Sequence, residues 1–506
     1  MLNPYSDPIV IGEGSYGCVH KPALNCRYDN PAQIAQNTTK VSKLLLKNNA
    51  ENEMKEYDKI DKVDRHLNYH LGKPILCKSV ANTLVNKRSI AKCELDTKNL
   101  QNKINDYSLL IMEDGGIDLM TFADEASKWE INDTNKNKIE EFWLEAHRLL
   151  LGIKLFFEKG IIHFDLKPQN IVYNVNKNRL NFIDFGILIN RDYLINRLLN
   201  SDIKLSRIHW SRPLELGCLS YSVYHKISRL IHGNPPEMRD NIEVYKILGL
   251  MDNDDKNEIS AQFEENMIEL YYTITNEDID KNLFLETIIT DFDLTIDSIF
   301  GKKNYSDYVS DSIDTIDSYG LGLAFKYVWN KTSFLIDEDL ATDLNTLFLK
   351  MINIKLINRM KINDILSAYE NILSKHHILK KHNKKIVGHK IIDNEKSPSS
   401  SIASSRASSR ASSLASSLAS SLASSLASSR ASSRASSRAS SRASSRASSR
   451  ASSLASSLAS SPEKSPRLRI LSSSPQEARI RLSAPARFVK SLGRTRKSKT
   501  RKTQSV

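Results

Sequence analysis

The sequence predicts an α+β protein with strands near its beginning, helices through its middle and a long polar tail. Short apolar runs beside glycines, at residues 9–19 and 107–112, are typical of strands. Longer runs, at 138–159 and 333–375, repeat apolar residues at helical spacing. Residues 397–461 are almost wholly Ser, Ala, Arg and Leu with a four-residue period, which leaves little apolar surface to bury and predicts disorder.

The charge of the chain is divided unevenly. The 506 residues carry a formal net charge of +13 and are enough for two or three domains. From Ser397 onward there are 16 Arg and 5 Lys against 2 Glu, a net of +19, which leaves −6 for residues 1–396. The tail therefore suits acidic partners, and its basic end at 494–502 could bind nucleic acid or other polyanions by neutralising phosphates. The alternative is a solvated tail without a specific partner.

The cysteines and the apolar runs predict a compartment. None of the five cysteines forms a Cys-x-x-Cys pair, so the spacing suggests neither a zinc site nor a disulfide framework. A reducing compartment fits best. No run of 18 apolar residues indicates a membrane span, and residues 1–7 do not resemble a signal peptide. We therefore expect an intracellular protein that is not secreted.

A short polar stretch is the centre of the predicted site. Residues 161–170 read Ile-Ile-His-Phe-Asp-Leu-Lys-Pro-Gln-Asn, and Asp184-Phe185-Gly186 follows 14 residues after Asn170. Asp165, Asn170 and Asp184 thus lie next to short apolar runs. Two acids and an amide in this arrangement suit a divalent metal and a polarised hydroxyl, since Mg²⁺ takes oxygen ligands and shares them with substrate phosphates.

Near the N-terminus, residues 12–19 follow the pattern G-x-G-x-x-G-x-V. Glycines at 12, 14 and 17 would let a strand–turn–strand close over the phosphates of a nucleotide. A dinucleotide-binding loop shares the first six positions, but it should open a helix. Val19 fits a returning strand, and Pro22 disfavours an immediate helix, so the strand–turn–strand is favoured.

These motifs, in this order, resemble the eukaryotic-type serine/threonine protein kinases. The resemblance covers roughly residues 9–375 and implies a bilobal fold, with a small β-rich N-lobe at 1–113 and a larger helical C-lobe at 114–375. The sequence of residues 12–22 and the Asn/Lys/Ile-rich composition of the chain before the tail resemble the divergent kinases of giant DNA viruses, the mimivirus-like group. For a viral protein, the host cell cytoplasm or the virion would be the location.

The resemblance implies ATP as the phosphoryl donor and Mg²⁺ as the cofactor, with Mn²⁺ as a substitute. Asn170 and Asp184 would hold the metal, and Asp165 would accept or orient the substrate hydroxyl. Lys167 would neutralise the γ-phosphate, and a lysine there is typical of serine/threonine kinases. The residues implied around ATP are Gly12, Gly14, Gly17, Val19, Lys43, Glu53, Met112, Glu113 and Asp118.

For two of these assignments, other residues nearby could take the same role. Lys43 stands where kinases place the lysine of their third strand, although Lys40 and Lys47 compete. Glu53 lies on a predicted helix at 50–62 and would pair with that lysine, with Glu56 as its rival.

After the predicted strand 107–112, Met112 would guard the back of the pocket and Glu113 would begin the hinge. The following Gly-Gly-x-Asp-Leu resembles the haspin-like kinases, in which the Asp meets the ribose. Asp118 would then contact the ribose here, and the alternative is a helix N-cap.

Three further residues have structural roles in the family. Asp317 resembles the Asp that anchors the catalytic-loop backbone, and Glu215 would pair with a buried arginine for which Arg359 is suited. Phe164 stands where the family often has an Arg that meets a phosphate on the activation segment. Because Phe cannot pair with phosphate, we expect activity without phosphorylation of that segment.

The substrate side departs from the family. Counting back from Glu215 to the usual Thr or Ser that contacts the catalytic Asp leads to Ile208, so either the register slips, for instance to Ser206, or the contact is missing. Residues of about 224–310 look like an insertion, and 376–396 look like a polar linker before the tail at 397–506.

The predicted function is phosphoryl transfer from MgATP to Ser or Thr of protein substrates, with the chain's own Ser-rich tail among them. The alternative is a pseudokinase or scaffold whose basic tail binds nucleic acid or acidic partners.

Overall fold

The structure is a computed structural model. It describes residues 7–14, 17–27, 30–93, 104–203, 209–233, 256–275, 283–284, 287 and 304–394. Those up to Asp393 belong to one compact unit. The predictions for Ser206, for Ile208 and for the tail at 397–506 lie outside the described residues, as does much of the predicted insertion.

The N-terminal part of the chain is built on an antiparallel sheet of five strands, in the order β1-β2-β3-β5-β4. The strands are β1 Ile9–Gly14, β2 Gly17–Lys21, β3 Lys40–Leu46, β4 Ile75–Cys77 and β5 Tyr107–Glu113. In the described part of this region, the helices are α1 Pro31–Asn37, α2 Lys47–Val63 and α3 Leu84–Ile90. A Cβ at Gly17 would lie 2.0 Å from the Leu44 carbonyl oxygen, so the close approach of β2 to β3 requires glycine there.

The rest of the described chain is mainly helical. Its helices are α4 Leu119–Ala126, α5 Asp133–Glu158, α6 Arg191–Asn200, α7 Tyr221–Gly233, α8 Lys256–Ile274, α9 Tyr305–Asp314, α10 Ile316–Thr332, α11 Glu338–Met351, α12 Ile362–Lys375 and α13 Ile378–Lys381. None of the described helices is long and apolar enough to cross a membrane. The mixture of helices and sheets confirms the predicted α+β class.

Small sheets carry the loops between these helices. One has the order β6-β8-β9, formed by β6 Ile117–Asp118, β8 Ile171–Asn174 and β9 Arg179–Phe182. The other two are the pairs β7 Ile161–Ile162 with β10 Ile189–Asn190, and β11 Lys384–Val387 with β12 Lys390–Asp393. The polar stretch that follows β7 and the Asp184 triplet that follows β9 are therefore held by short paired strands.

The main hydrophobic core lies between α5, α10 and α11. Trp143, Phe325 and Phe348 meet there with ring centroids 5.5–6.0 Å apart. Helix α5 matches the predicted run at 138–159 and ends before Gly160, whose φ of 64° is left-handed, as expected for a glycine that terminates a helix. The core thus fixes the end of α5, from which the chain enters the polar stretch at 161–170.

The range 376–396, expected to be a polar linker, holds secondary structure as far as it is described. It forms α13, β11 and β12, and two of its histidines reach carboxylates of the helical core. His382 contacts Glu140 at 2.8 Å, and His389 contacts Glu370 at 2.9 Å. Polar composition suggested a linker, whereas these tertiary contacts, which composition does not reveal, order the segment.

The cysteines correct one prediction. The structure joins Cys18 to Cys93 and Cys26 to Cys77 as disulfides, so the absence of a disulfide framework was wrong. The paired cysteines are 75 and 51 residues apart, and the folding of the sheet brings them together; no local spacing signals such pairs. Cys218 is buried and free.

Candidate active site

The backbone of the stretch 161–170 is anchored by a buried carboxylate from α10. Asp317 accepts hydrogen bonds from the backbone N–H groups of His163, at 2.7 Å, and Phe164, at 3.0 Å. Burial raises the pKa of Asp317 above its ordinary value, although His163 and these hydrogen bonds oppose the shift. The contact is the one that the kinase resemblance implied.

Close packing completes this anchor. A Cβ at Gly320 of α10 would lie 2.5 Å from the Leu166 carbonyl oxygen, so the helix can approach the loop only with glycine at that position. Phe164 and Asp184 have φ angles of 70° and 61°. Left-handed backbone is strained for residues other than glycine, and such strain persists where surrounding contacts hold it, often at functional sites.

Asp165 has a cation or an amide on each carboxylate oxygen. Its Oδ2 accepts from Lys167 Nζ at 3.1 Å and from Asn170 Nδ2 at 2.9 Å. Its Oδ1 lies 3.5 Å from a guanidinium nitrogen of Arg212. The Asn170 amide also donates to the Asp165 backbone carbonyl at 2.7 Å, which fixes the loop around this acid.

Lys43 joins three separate segments of the chain. From β3, its Nζ lies 2.9 Å from Oε2 of Glu53 on α2 and 2.9 Å from Oδ1 of Asp184 after β9. Burial alone would lower the pKa of Lys43, but the carboxylates of Asp184 and Glu53 outweigh it and raise the pKa above its ordinary value. The same cation lowers the pKa of Asp184, against the effect of burial. Burial raises the pKa of Glu53, although the charge of Lys43 opposes that shift. The shifts of Lys43 and Asp184 favour their charged forms at neutral pH.

Two of the rival residues, Lys40 and Glu56, have other partners. Lys40 contacts Glu113 at 3.0 Å, and Glu56 pairs with Lys59 within α2. Lys43 therefore pairs with Glu53, on the buried side of α2, and Glu56 takes no part in this contact.

Most of the residues proposed for the nucleotide lie on β1, β2, β3 and β5 of the five-stranded sheet. Gly12, Gly14 and Gly17 belong to the β1–β2 hairpin, in which Gly14 pairs with Gly17, and Val19 pairs with Lys43 across β2 and β3. Met112 and Glu113 end β5. The hairpin and the end of β5 are thus connected to Lys43 through β3, which pairs with both β2 and β5.

Asp118 caps a helix. Its carboxylate accepts from the backbone N–H groups of Met120 and Thr121, both at 3.0 Å, and from the Thr121 hydroxyl at 2.7 Å. This is the N-cap alternative, and contact with a ribose stays a prediction.

Glu215 and Arg359 form the expected buried ion pair. Their side chains are 2% and 0% exposed, and one of the two contacts between them measures 3.1 Å, from Nη2 to Oε2. The Arg359 guanidinium lies 5.0 Å from the Tyr319 ring and donates to Thr315 Oγ1 at 3.2 Å. The pair ties the segment after Pro213 to the chain between α11 and α12, and Arg359 in turn contacts Tyr319 of α10.

Sequence reasoning missed Arg212 and His209. Burial, together with the cations of Arg212 and Lys167, lowers the pKa of His209 to about 4, so this imidazole is neutral beside the acid. The available signal was the position of Arg212 directly before Pro213. It was missed because the segment was searched for a Thr or Ser that contacts the catalytic Asp.

Among the described residues, Asn170 and Asp184 are suited to hold a metal. Asn170 and Asp184 lie on adjacent backbone, since Ile183 N donates to Asn170 O at 3.0 Å. The contacts above use Asn170 Nδ2 and Asp184 Oδ1, which leaves one oxygen of each side chain for a hard cation. Ligand atoms of Glu13, Cys18 and Cys93 also converge within 4.8 Å, but the two sulfurs are bonded to each other.

Comparison with known proteins gives a distant relationship. No family model matches the chain. It is similar to serine/threonine-protein kinase 1 of African swine fever virus, from three isolates alike, at 27% identity over 135 residues, which is 25% of this chain and 42% of that protein. The chain thus spans less than half the length of these curated relatives. A probable serine/threonine-protein kinase of Dictyostelium discoideum is 63% identical over 35 residues, 7% of this chain and 4% of that protein, which is too short to carry an argument. The similarity indicates a kinase-like relationship.

Proposed function

We propose that this chain is a serine/threonine protein kinase that transfers the γ-phosphate of MgATP to Ser or Thr hydroxyls of proteins. The observation that carries the proposal is the contact of Lys43 with both Glu53 and Asp184, which joins residues up to 141 positions apart. A sheet-based N-terminal part followed by a helical part supports a bilobal arrangement with ATP between the lobes. The similarity to viral serine/threonine kinases supports the same reaction class.

The protein groups have separate tasks in this mechanism. Lys43, held by Glu53, would bind the α- and β-phosphates beneath the hairpin that contains Gly12, Gly14 and Gly17. Asp165 would orient the acceptor hydroxyl and take its proton. Lys167, 3.1 Å from Asp165, would stabilise the negative charge that develops on the transferred phosphoryl group.

The donor atoms at Asn170 and Asp184 fit a hard divalent cation. One amide oxygen and one carboxylate oxygen match Mg²⁺, which completes its shell with water and substrate phosphates. Mn²⁺ accepts the same oxygen ligands. Bound there, the ion would neutralise phosphate charge.

The substrate class follows from Lys167, which is typical of kinases that act on Ser and Thr. The proposed acceptors are protein substrates and the Ser-rich tail of this chain, and the basic tail could also bring nucleic acid or other polyanions to the enzyme.

The test is phosphoryl transfer by the purified full-length protein from labelled ATP and Mg²⁺ to a serine/threonine peptide library. We expect incorporation that Asp165→Ala abolishes. Asp192→Ala, at a side chain that is 78% exposed, is the matched control and should leave the rate unchanged. Equal signals from the wild type and Asp165→Ala would refute the enzyme and leave the scaffold alternative.

A further inference from the structure

Arg212 makes three contacts with the residues that form the catalytic loop. Its Nε donates to the Phe164 carbonyl at 3.2 Å, and its guanidinium lies 4.8 Å from the centroid of the Phe164 ring. A terminal nitrogen lies 3.5 Å from Oδ1 of Asp165. The Arg212 side chain is only 11% exposed, so these contacts are largely shielded from water.

The contact with Phe164 falls on a strained peptide. Phe164 is left-handed, a conformation that is strained for a residue with a side chain. Asp317 holds its N–H and Arg212 holds its C=O, so the residue directly before Asp165 is fixed on both sides. Loss of either contact should let this turn relax and move the Asp165 carboxylate.

The segment that carries Arg212 is itself fixed. Arg212 N donates to the His209 carbonyl at 2.9 Å, which closes a tight turn. Within that turn, Trp210 N donates to Oδ1 of Asn266 on α8, at 2.9 Å. Helix α8 belongs to the predicted insertion, so part of that insertion supports the turn from which Arg212 reaches the loop.

The Asp165 carboxylate attracts the Arg212 guanidinium, and the positive charge of Lys167 opposes this attraction without removing the contact. Lys167 is a second cation at the same carboxylate, and His209 is neutral at physiological pH. Phe164 contributes a ring face that attracts the guanidinium. A planar guanidinium can serve the ring, the carbonyl and the carboxylate together, whereas an ammonium group cannot.

We propose that Arg212 is a positioning residue of the reaction, which holds the Phe164–Asp165 peptide and carboxylate from the segment before Pro213. This rests on the proposed kinase function. The family link described above joins an Arg on the catalytic loop to a phosphate on the activation segment. Here the cation lies on the segment and the acid on the loop, so the link forms without phosphorylation.

Kinetics of the full-length wild type, Arg212→Lys and Arg212→Ala provide the first test. We expect kcat to fall about 100-fold in Arg212→Ala, because a small misplacement of a reacting group has an effect of that order. Arg212→Lys should lie between the two, and KM for ATP should stay within about threefold because Lys43 and Glu53 are untouched. Arg88→Ala, at a side chain that is 57% exposed, is the matched control and should keep wild-type kcat.

Chemical rescue separates positioning from general destabilisation. Millimolar guanidinium should restore part of the activity of Arg212→Ala and none of that of Asp165→Ala. A kcat of Arg212→Ala within twofold of the wild type, or a loss that guanidinium does not relieve, would overturn the proposal. Should Arg212→Ala fail to fold, Arg212→Lys and Arg212→Gln give the same comparison.

A crystallographic comparison tests the proposal independently of the proposed function. In Arg212→Gln, Phe164 should leave its left-handed conformation or the Asp165 carboxylate should rotate away from Asn170. An unchanged loop in that variant would refute the role of Arg212 even if the wild type were inactive, whereas an inactive wild type would refute only the kinase function.

Discussion

Removing either member of the buried ion pair Glu215–Arg359 should destabilise the fold, but by different amounts. In Arg359→Met, the carboxylate of Glu215 remains in a site where it is 2% exposed, without its counter-ion. The carboxylate can escape by binding a proton. For a glutamate with the ordinary pKa of 4.5, protonation at pH 7 costs about 3 kcal/mol, at about 1.4 kcal/mol per pH unit. We therefore expect Arg359→Met to lower the free energy of unfolding by about 3 kcal/mol at pH 7.

The converse change should be more damaging. In Glu215→Gln, Arg359 cannot release its proton, so the charge stays buried and unpaired. Breaking a buried pair in this way destabilises by about 3–5 kcal/mol. The control is Lys361→Met, which removes an exposed pair with Asp311 and should have an effect of under about 1 kcal/mol.

The pH dependence distinguishes the two variants. In Arg359→Met, the folded state binds a proton that the unfolded state lacks above pH 4.5, so the deficit relative to the wild type is largest at neutral pH and shrinks as the pH falls towards 4.5. Glu215→Gln has no carboxylate to protonate at this position, so its loss of stability stays constant over the same pH range. Urea unfolding at pH 7, 6 and 5 measures both. A deficit of Arg359→Met that is the same at all three values would refute the reasoning.

Three further predictions concern other contacts. Burial alone would lower the pKa of His70, but hydrogen bonds with Asp64 and Asp61 outweigh it and raise the pKa above 6.5. The stability from this proton is therefore complete below pH 6.5 and is lost as the pH rises through the folded-state pKa, so His70→Asn should flatten the stability profile above pH 6.5 in urea unfolding. Lys43→Met should reduce transfer from labelled ATP by about 100-fold or more, and a similar loss in Lys40→Met would contradict the assignment. Reduction of the disulfides should lower the unfolding midpoint, with a contribution of about 2–4 kcal/mol from Cys18–Cys93, and equal midpoints with and without reductant would exclude it.

Contacts could be predicted from the sequence where they depend on fixed local spacing. Asp165, Lys167 and Asn170 lie within six residues, so their mutual contacts follow from one loop. Lys43–Glu53 also involves adjacent elements, because β3 leads directly into α2. These positions could be predicted because the intervening chain leaves few alternatives.

Long-range contacts were predicted only where the family resemblance supplied them, as for Asp317 with the loop and Glu215 with Arg359, and the others were missed. The disulfides join positions 51 and 75 residues apart, and the docking of 376–393 depends on acids more than 200 residues earlier as well as on Glu370. Arg212 is a further example of a missed contact. A hydroxyl near Ile208, such as that of Ser206, was sought as the partner of Asp165, whereas the contact in the structure comes from Arg212. A count along the chain cannot show that a tight turn at 209–212 directs a cation back to the loop.

Phe164 and Arg212 account for each other. An arginine at 164 would place a second guanidinium against that of Arg212, where the ring now lies 4.8 Å away, and like charges at that distance repel. Conversely, Phe164 without Arg212 would leave its strained carbonyl without the Nε donor described above. The ring of Phe164 and the guanidinium of Arg212 are therefore complementary. Phe164→Arg alone should reduce phosphoryl transfer from labelled ATP, because the new guanidinium would repel that of Arg212 and remove its contact with the aromatic ring.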